Sequence, residues 1–138
     1  MNILTRLFVA LNAFVFQLTG GRVGGQMGKQ SVLLLHSVGR KSGKDYVTPL
    51  SFFRDAENYL VVASNWGRET DPDWFRNLMH APRTRIQVKG KLLDVQVRQA
   101  TAEEYPRLWK WVTSQNPQYV QYQQTTSRRI PIVVLTPV

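Results

Sequence analysis

The 138-residue chain contains no cysteine. Disulfide bridges and thiolate-ligated metals are thereby excluded. Histidine is scarce: His36 and His80 stand far apart in sequence. No ligand spacing accompanies them, so no metal is expected. Acidic residues number 9 against 18 basic ones, for a net charge of +9. That imbalance favours an anionic partner, and charge alone leaves nucleic acid, a membrane surface and a phosphorylated small molecule open. A long apolar run is also missing. Ile3 to Leu18 comes nearest, interrupted by Arg6, Asn12 and Gln17, and it falls short of the roughly 20 residues of a membrane span. Arg6 ahead of an apolar run has the outline of a signal peptide. No small-x-small cleavage site follows it, and Gly20-Gly21-Arg22 reads as a helix stop.

Several catalytic signatures are lacking too. There is no nucleophile elbow. The order of a phosphate-binding P-loop is absent, and Gly20 to Gly25 follows a helix instead of the strand that a dinucleotide fingerprint requires. Glu103 and Glu104 are best explained by helix capping, not as an acid/base pair.

The residues that are present divide into two parts. Residues 1–30 form an apolar helix and a glycine-rich connector, Arg22 to Gln30. The helix suits docking on its own domain, on a partner subunit or on a membrane surface. Residues 31–138 carry the texture of a β domain. Ser31 to Ser37 is a nearly continuous apolar run that suits a buried strand. Tyr46 to Phe53 is a second strand, with Pro49 marking a bulge or an edge. After a turn at Arg54 to Asn58, Tyr59 to Ser64 is a third. Asp71 is the natural N-cap of a helix with Pro72 in its first position, and Trp74, Phe75, Leu78 and Met79 follow at helical spacing. Arg85 to Val88 and Leu92 to Val97 flank a hairpin at Lys89-Gly90-Lys91. Thr101 and Glu104 have the spacing of a capping box, opening a helix through Leu108, Trp109 and Val112. Asn116-Pro117 breaks it ahead of a short helix through Tyr119, Tyr122 and Gln123. Ile130 to Leu135 is a final strand. Six strands with outer helices predict a small, largely antiparallel barrel.

Four features offer chemistry. Arg40, Lys41, Ser42 and Lys44 are packed around Gly39 and Gly43. Glycines let several backbone N–H groups converge on an oxyanion, arginine adds a donor fork and lysine a point charge. A solvated basic hairpin turn is the plainer alternative. Ser64-Asn65 ends a strand with small polar groups that suit a flat ligand, or is an ordinary strand terminus. The start of the following helix favours anions, and Trp74 and Phe75 there serve either a ring system or the core. Tyr119 and Tyr122 share a helix face, where a hydroxyl can orient a carbonyl, or where both rings simply pack.

A resemblance adds to this reading. Leu33 to Leu35, Gly39-Arg40-Lys41-Ser42-Gly43, Thr48-Pro49-Leu50, Val62-Ala63-Ser64, Pro72 to Leu78, Ala81-Pro82-Arg83, Tyr119, Tyr122 and Ile130 to Val134 occur in order. Together they resemble the deazaflavin-dependent nitroreductase family over roughly residues 31–138. The resemblance implies a mainly β fold with α elements: an antiparallel, FMN-binding-like split β-barrel with an amino-terminal helix and two helical insertions. It implies coenzyme F420, ahead of FMN, as cofactor. The implied reaction is hydride transfer from F420H2 to a quinone, a nitroaromatic or another conjugated acceptor. Arg40, Lys41 and Ser42 match contacts to the cofactor's phosphate and tail. Tyr46, Val47, Thr48, Pro49, Leu50 and Ser51 match the continuation of the site, and Val62, Ala63, Ser64 and Asn65 match positions near the ring. Asp73, Trp74, Phe75, Arg76 and Asn77 match the segment closing round the phosphate side. Tyr119 matches a tyrosine beside ring and substrate. Tyr119 and Ser64 are expected to orient the acceptor or relay a proton. Tyr46 stands where many members carry arginine, and Asn65 and Trp66 where many carry basic residues or glycine.

The rival expectation is a carrier of an apolar ligand such as a fatty acid, without turnover. Nucleic acid is not expected as a partner, because the basic residues are spread through the chain with no reading motif. A homodimer, a cytoplasmic location and peripheral contact with the inner face of the membrane through the first helix complete the expectations.

Overall fold

The computed structural model describes residues 31–138. The expected helix at Ile3 to Leu18 and the connector at Arg22 to Gln30 lie outside the described residues. Six strands, β1 (Ser31–Val38), β2 (Asp45–Asp55), β3 (Asn58–Val62), β4 (Arg83–Val88), β5 (Lys91–Gln99) and β6 (Ile132–Pro137), close a barrel in the order β1-β2-β3-β6-β5-β4. Every neighbouring pair is antiparallel. Helix α1 (Asp73–Leu78) joins β3 to β4. Helices α2 (Tyr105–Gln115) and α3 (Gln118–Gln124) join β5 to β6. The split-barrel expectation is met.

Alternation explains how one short chain fills two cores. Tyr59, Val61 and Ala63 with Val133 and Leu135 point into the barrel, alongside Leu33, Leu35, Ile86 and Val95. Leu60 and Val62 with Ile132 and Val134 point outward and are covered by Leu108, Val112 and Tyr119 of the helices. Strands β3 and β6 are therefore buried on both faces, which is why they read as unbroken apolar runs. Each fully buried aliphatic side chain contributes roughly 1.5–3 kcal/mol, so the outer face of β3 and β6 needs α2 and α3 as cover.

The barrel is split at β2. Its first part pairs with β1 from Asp45 to Phe52 in unbroken register. Its pairing with β3 covers only Phe53 to Asp55. Thr48 to Ser51 thus lie where β2 and β3 diverge. Pro49 is tolerated on that open edge and makes no bulge in the pairing with β1.

Local details differ from the sequence reading at both helix starts. Pro72, not Asp71, is the N-cap of α1: it has extended backbone (φ −67°, ψ 152°) and its carbonyl accepts from Phe75 and Arg76. The Asp71 carboxylate is taken by Arg128 at 3.0 Å, so it is not spent on capping. Only half of the capping box forms. The Glu104 amide donates to the Thr101 hydroxyl at 3.2 Å, while the Glu104 carboxylate pairs with Arg98 at 2.6 Å. A guanidinium outcompetes a backbone amide for a carboxylate. The break at Asn116 is as expected, with extended backbone ahead of Pro117.

Candidate active site

Two adjoining hollows open at the split. The first, about 450 Å³, is lined by Ser37, Gly39, Arg40, Lys41, Ser42, Tyr46, Thr48, Asp73, Trp74 and Asn77. The second, about 380 Å³, is lined by Thr48 to Ser51, Val62, Ser64 to Trp66, Pro72, Trp74, Asn116, Tyr119 and Tyr122. Thr48 and Trp74 belong to both. One elongated cleft results, cationic at one end and aromatic at the other.

The cationic end is a structured turn. Gly39 donates to the Lys44 carbonyl at 2.7 Å and Gly43 to the Gly39 carbonyl at 2.9 Å. Gly43 has φ 73°, which a side chain rarely permits. The Lys44 amide donates to the Ser42 hydroxyl at 3.2 Å. Arg40 is held from α1. Its amide and its Nη1 both donate to Asn77 Oδ1, at 3.1 and 2.9 Å, and its Nη2 lies 3.6 Å from the Asp73 carboxylate. The Arg40 side chain is 19% exposed, so its fork is fixed and partly desolvated, while Lys41 and Ser42 remain exposed. Helix α1 has six residues, too short for a sizeable macrodipole. The positive character of this end therefore comes from its side chains and turn amides.

Ser37 is the residue that sequence reasoning missed here. It is 3% exposed, lines the cleft, and its hydroxyl has no hydrogen-bond partner among the described residues. A buried orphan hydroxyl costs about 1–3 kcal/mol, a cost relieved by a ligand with an oxygen to offer. Its position in an apolar strand run gave no sequence signal.

The aromatic end is assembled over long range. Ser64 leads into a short 3₁₀-type turn, Asn65–Gly67. Asn65 and Trp66 both have left-handed backbone, with φ of 49° and 56°. Gly67 packs against the end of α3, where an added Cβ would sit 2.1 Å from Thr125 Oγ1. The Thr125 hydroxyl donates to the Gly67 carbonyl at 2.8 Å. Arg128 ties the assembly together. Its Nε donates to the Arg68 carbonyl at 2.9 Å, its Nη2 to the Ser64 carbonyl at 2.9 Å, and both Nη atoms to the Ala63 carbonyl at 3.2 Å. With Asp71 as counter-ion, this guanidinium fixes the end of β3 against the segment leading into α1. Nothing local marks Arg128 in the sequence, because its partners lie 57 to 65 positions away.

Tyr119 closes the second hollow. Burial pushes its hydroxyl up to about 12, opposed by a hydrogen bond with the Asn116 side chain and reinforced by Tyr122. The phenol stays protonated at neutral pH and can donate a hydrogen bond, but it cannot act as a base. Its ring meets Phe53 edge-on at 6.0 Å and lies 6.3 Å from Tyr122.

Of the residues expected at the site, Arg40, Lys41, Ser42, Tyr46, Thr48, Pro49, Leu50, Ser51, Val62, Ser64, Asn65, Asp73, Trp74, Asn77 and Tyr119 line the cleft. Val47, Ala63, Phe75 and Arg76 do not line it. Val47, Ala63 and Phe75 are buried, the last two in the barrel core. Arg76 is half-buried. Gly39 and Tyr122, both singled out in the sequence, line it as well, and Ser37, Trp66, Pro72 and Asn116 enter the lining beyond the expected set. Among the described residues no group of His, Asp or Glu can hold a metal ion.

The fit to a deazaflavin nucleotide is direct: two fixed or mobile cations and an orphan hydroxyl at one end, a slot between strand β2 and Trp74, and hydroxyl-bearing aromatics at the other. The fold and this cleft define a split β-barrel with a site for a long planar ligand that is anionic at one end. The chain belongs to the F420H(2)-dependent quinone reductase family, whose model matches residues 8–137. It is 38% identical to the F420H(2)-dependent quinone reductase Rv1261c of Mycobacterium tuberculosis over 130 residues, 91% of this chain and 87% of the relative. A solved F420-H2 dependent reductase, FDR-A, is 32% identical with a TM-score of 0.68, over 75% of this chain and 92% of that one. A second solved structure, described as a domain-swapped dimer, matches at 32% identity and a TM-score of 0.69, over 75% of this chain and 78% of that one. The deazaflavin cofactor and oxidoreductase class expected from the sequence are thereby supported, and quinone is the acceptor class that the family name carries.

Proposed function

We propose that this protein reduces quinones with F420H2, binding the cofactor's phosphate and acidic tail on Arg40, Lys41, Ser42 and Ser37 and its ring along Thr48 to Ser51 and Ser64. The observation that carries the reading is the single cleft, charged at one end only and shared through Thr48 and Trp74. The chemistry supplied by the bound deazaflavin is a hydride. A proton completes the conversion of quinone to hydroquinone.

The chain's own residues bind and orient. Asn77 and Asp73 hold Arg40 so that its fork meets an oxyanion without further ordering. Pro49 on the open edge of β2 removes an N–H from the slot. Tyr119, protonated and largely desolvated, donates a hydrogen bond to an acceptor carbonyl and stabilises the negative charge that hydride addition puts on that oxygen. Ser64, at the end of β3, supplies a second hydroxyl. Fluorescence titration with F420 tests the reading. Saturable binding at micromolar concentration is expected, and its absence sinks the proposal.

Two finer expectations belong here as well. The domain-swapped dimer among the structural neighbours supports a homodimer, which sedimentation velocity tests. Among the described residues no helix is long and apolar enough to cross a membrane. Peripheral contact through residues 1–30 fits a bilayer-soluble acceptor, and flotation with liposomes, with and without residues 1–20, tests it.

A further inference from the structure

The turn Asn65–Gly67 places a tryptophan where sequence economy would not. Trp66 is 69% exposed. Its backbone is left-handed, at φ 56° and ψ 27°, a conformation that costs a side-chain-bearing residue about 1–2 kcal/mol. The residue before it, Asn65, is left-handed as well, and Gly67 continues the run at φ 78°. The turn is held from both sides. The Asn65 side-chain amide donates to the Thr70 carbonyl at 2.9 Å, and Gly67 donates to the Ser64 carbonyl at 2.8 Å. Gly67 itself is wedged against Tyr122 and Thr125. A large apolar ring is thus displayed on strained and well-anchored backbone, at the mouth of the hollow lined by Asn116, Tyr119 and Tyr122. The Arg68 guanidinium lies over the ring, 5.3 Å from its centroid, and much of the ring's area stays uncovered.

Strain retained at an exposed aromatic points to use of the ring. We infer that Trp66 is the stacking platform for the acceptor, selecting quinones with an extended fused-ring face over single-ring ones. This rests on the quinone-reducing reading of the site and adds the residue that sets acceptor choice. The platform stands outside the cationic end of the cleft, so it acts on the acceptor and not on the cofactor's phosphate. A planar, electron-poor quinone matches the electron-rich indole face.

The substitution W66G tests the inference, because glycine accepts φ 56° without strain and the fold is preserved. The melting temperature of W66G is expected to equal or exceed that of the parent. With F420H2 as donor, its KM for 1,4-naphthoquinone is expected to rise about 3–10-fold, that for 1,4-benzoquinone less, with kcat and the F420 dissociation constant within twofold. W66F is expected to restore most of the naphthoquinone KM. An unchanged naphthoquinone KM, an equal rise for both quinones, or an F420 affinity that falls by the same factor would overturn it. If the parent protein binds no F420, the proposed reaction fails by itself. Calorimetric titration of 1,4-naphthoquinone into the cofactor-free protein then decides on Trp66: weaker binding by W66G supports the platform, and equal binding by both proteins refutes it.

Discussion

The two ends of the cleft are built on opposite principles. The cationic end is a local device: one turn, Gly39 to Lys44, with internal hydrogen bonds and two partners borrowed from α1, Asn77 and Asp73. The aromatic end is a long-range assembly of a strand terminus, a strained turn, two helix residues and the Arg128 clamp. The first acts through charge and is readily screened. The second acts through desolvation, shape and a phenol that does not titrate in the physiological range. A ligand that spans both must be anionic at one end and planar at the other, and neither half alone specifies it.

Removing the clamp should separate the two ends most clearly. Arg128→Ala leaves the Ala63 and Ser64 carbonyls and the Asp71 carboxylate without their donor. We expect a stability loss of about 2–4 kcal/mol in urea unfolding. None of the clamp's hydrogen bonds or its ion pair with Asp71 reaches Arg40 or its turn, so the loss should disturb the aromatic end first, seen as a larger fall in quinone affinity than in F420 affinity at moderate temperature. Lys41→Ala should do the reverse, weakening F420 binding by about 1–3 kcal/mol without a change in melting temperature. An F420 affinity that is insensitive both to this change and to added salt would break the assignment of the cationic end.

Ser37→Ala is the finer probe. Its hydroxyl has no partner among the described residues, so stability should hold or rise slightly while F420 binding weakens by about 1 kcal/mol. A loss of stability equal to the loss of affinity would show that the hydroxyl serves the fold. Tyr119→Phe should lower kcat without altering the pH–rate profile between pH 6 and 9, because the hydroxyl is pushed up to about 12. Disappearance of a limb of that profile in the variant would contradict the role of fixed donor.

The smallest expected effect belongs to His36, on β1 ahead of the cationic turn. Burial, and then Arg85, hold its imidazole below the ordinary 6.5, against an opposing pull from Asp45. The folded state therefore binds this proton less readily than the unfolded state does. Its contribution to stability is complete above pH 6.5 and is lost as pH falls through the lowered folded value. Urea midpoints at pH 7.5 and pH 5 should show a drop that His36→Gln reduces.

Much of the barrel was legible because its signals are local. The unbroken apolar runs at Leu33 to Leu35 and Ile132 to Leu135 identify strands buried on two faces, and Pro49 marks an open edge. The cationic turn was equally visible, since glycine and charge spacing act over six residues. The capping assignments at Asp71 and Glu104 went astray for one reason: each carboxylate had an arginine outside its helix as a competing partner, Arg128 far along the chain and Arg98 six residues before Glu104. Ser37 was hidden because an orphan hydroxyl has meaning only once everything around it is packed. Trp66 was visible only as a departure from the resembled family's pattern, because its exposure and left-handed backbone depend on Gly67 meeting Thr125.

By itself the sequence determined the strand set, the cationic turn, the break at Asn116-Pro117 and, through its ordered motifs, a deazaflavin cofactor. Propensity, alternation and turn chemistry depend on near neighbours, and near neighbours are written in order along the chain. Only the tertiary structure decided that two hollows join at Thr48 and Trp74, that Arg128 holds the strand end, and that Tyr119 keeps its proton. Those properties are desolvation and hydrogen-bond satisfaction between residues brought together from far along the chain, and they exist only when the barrel has closed.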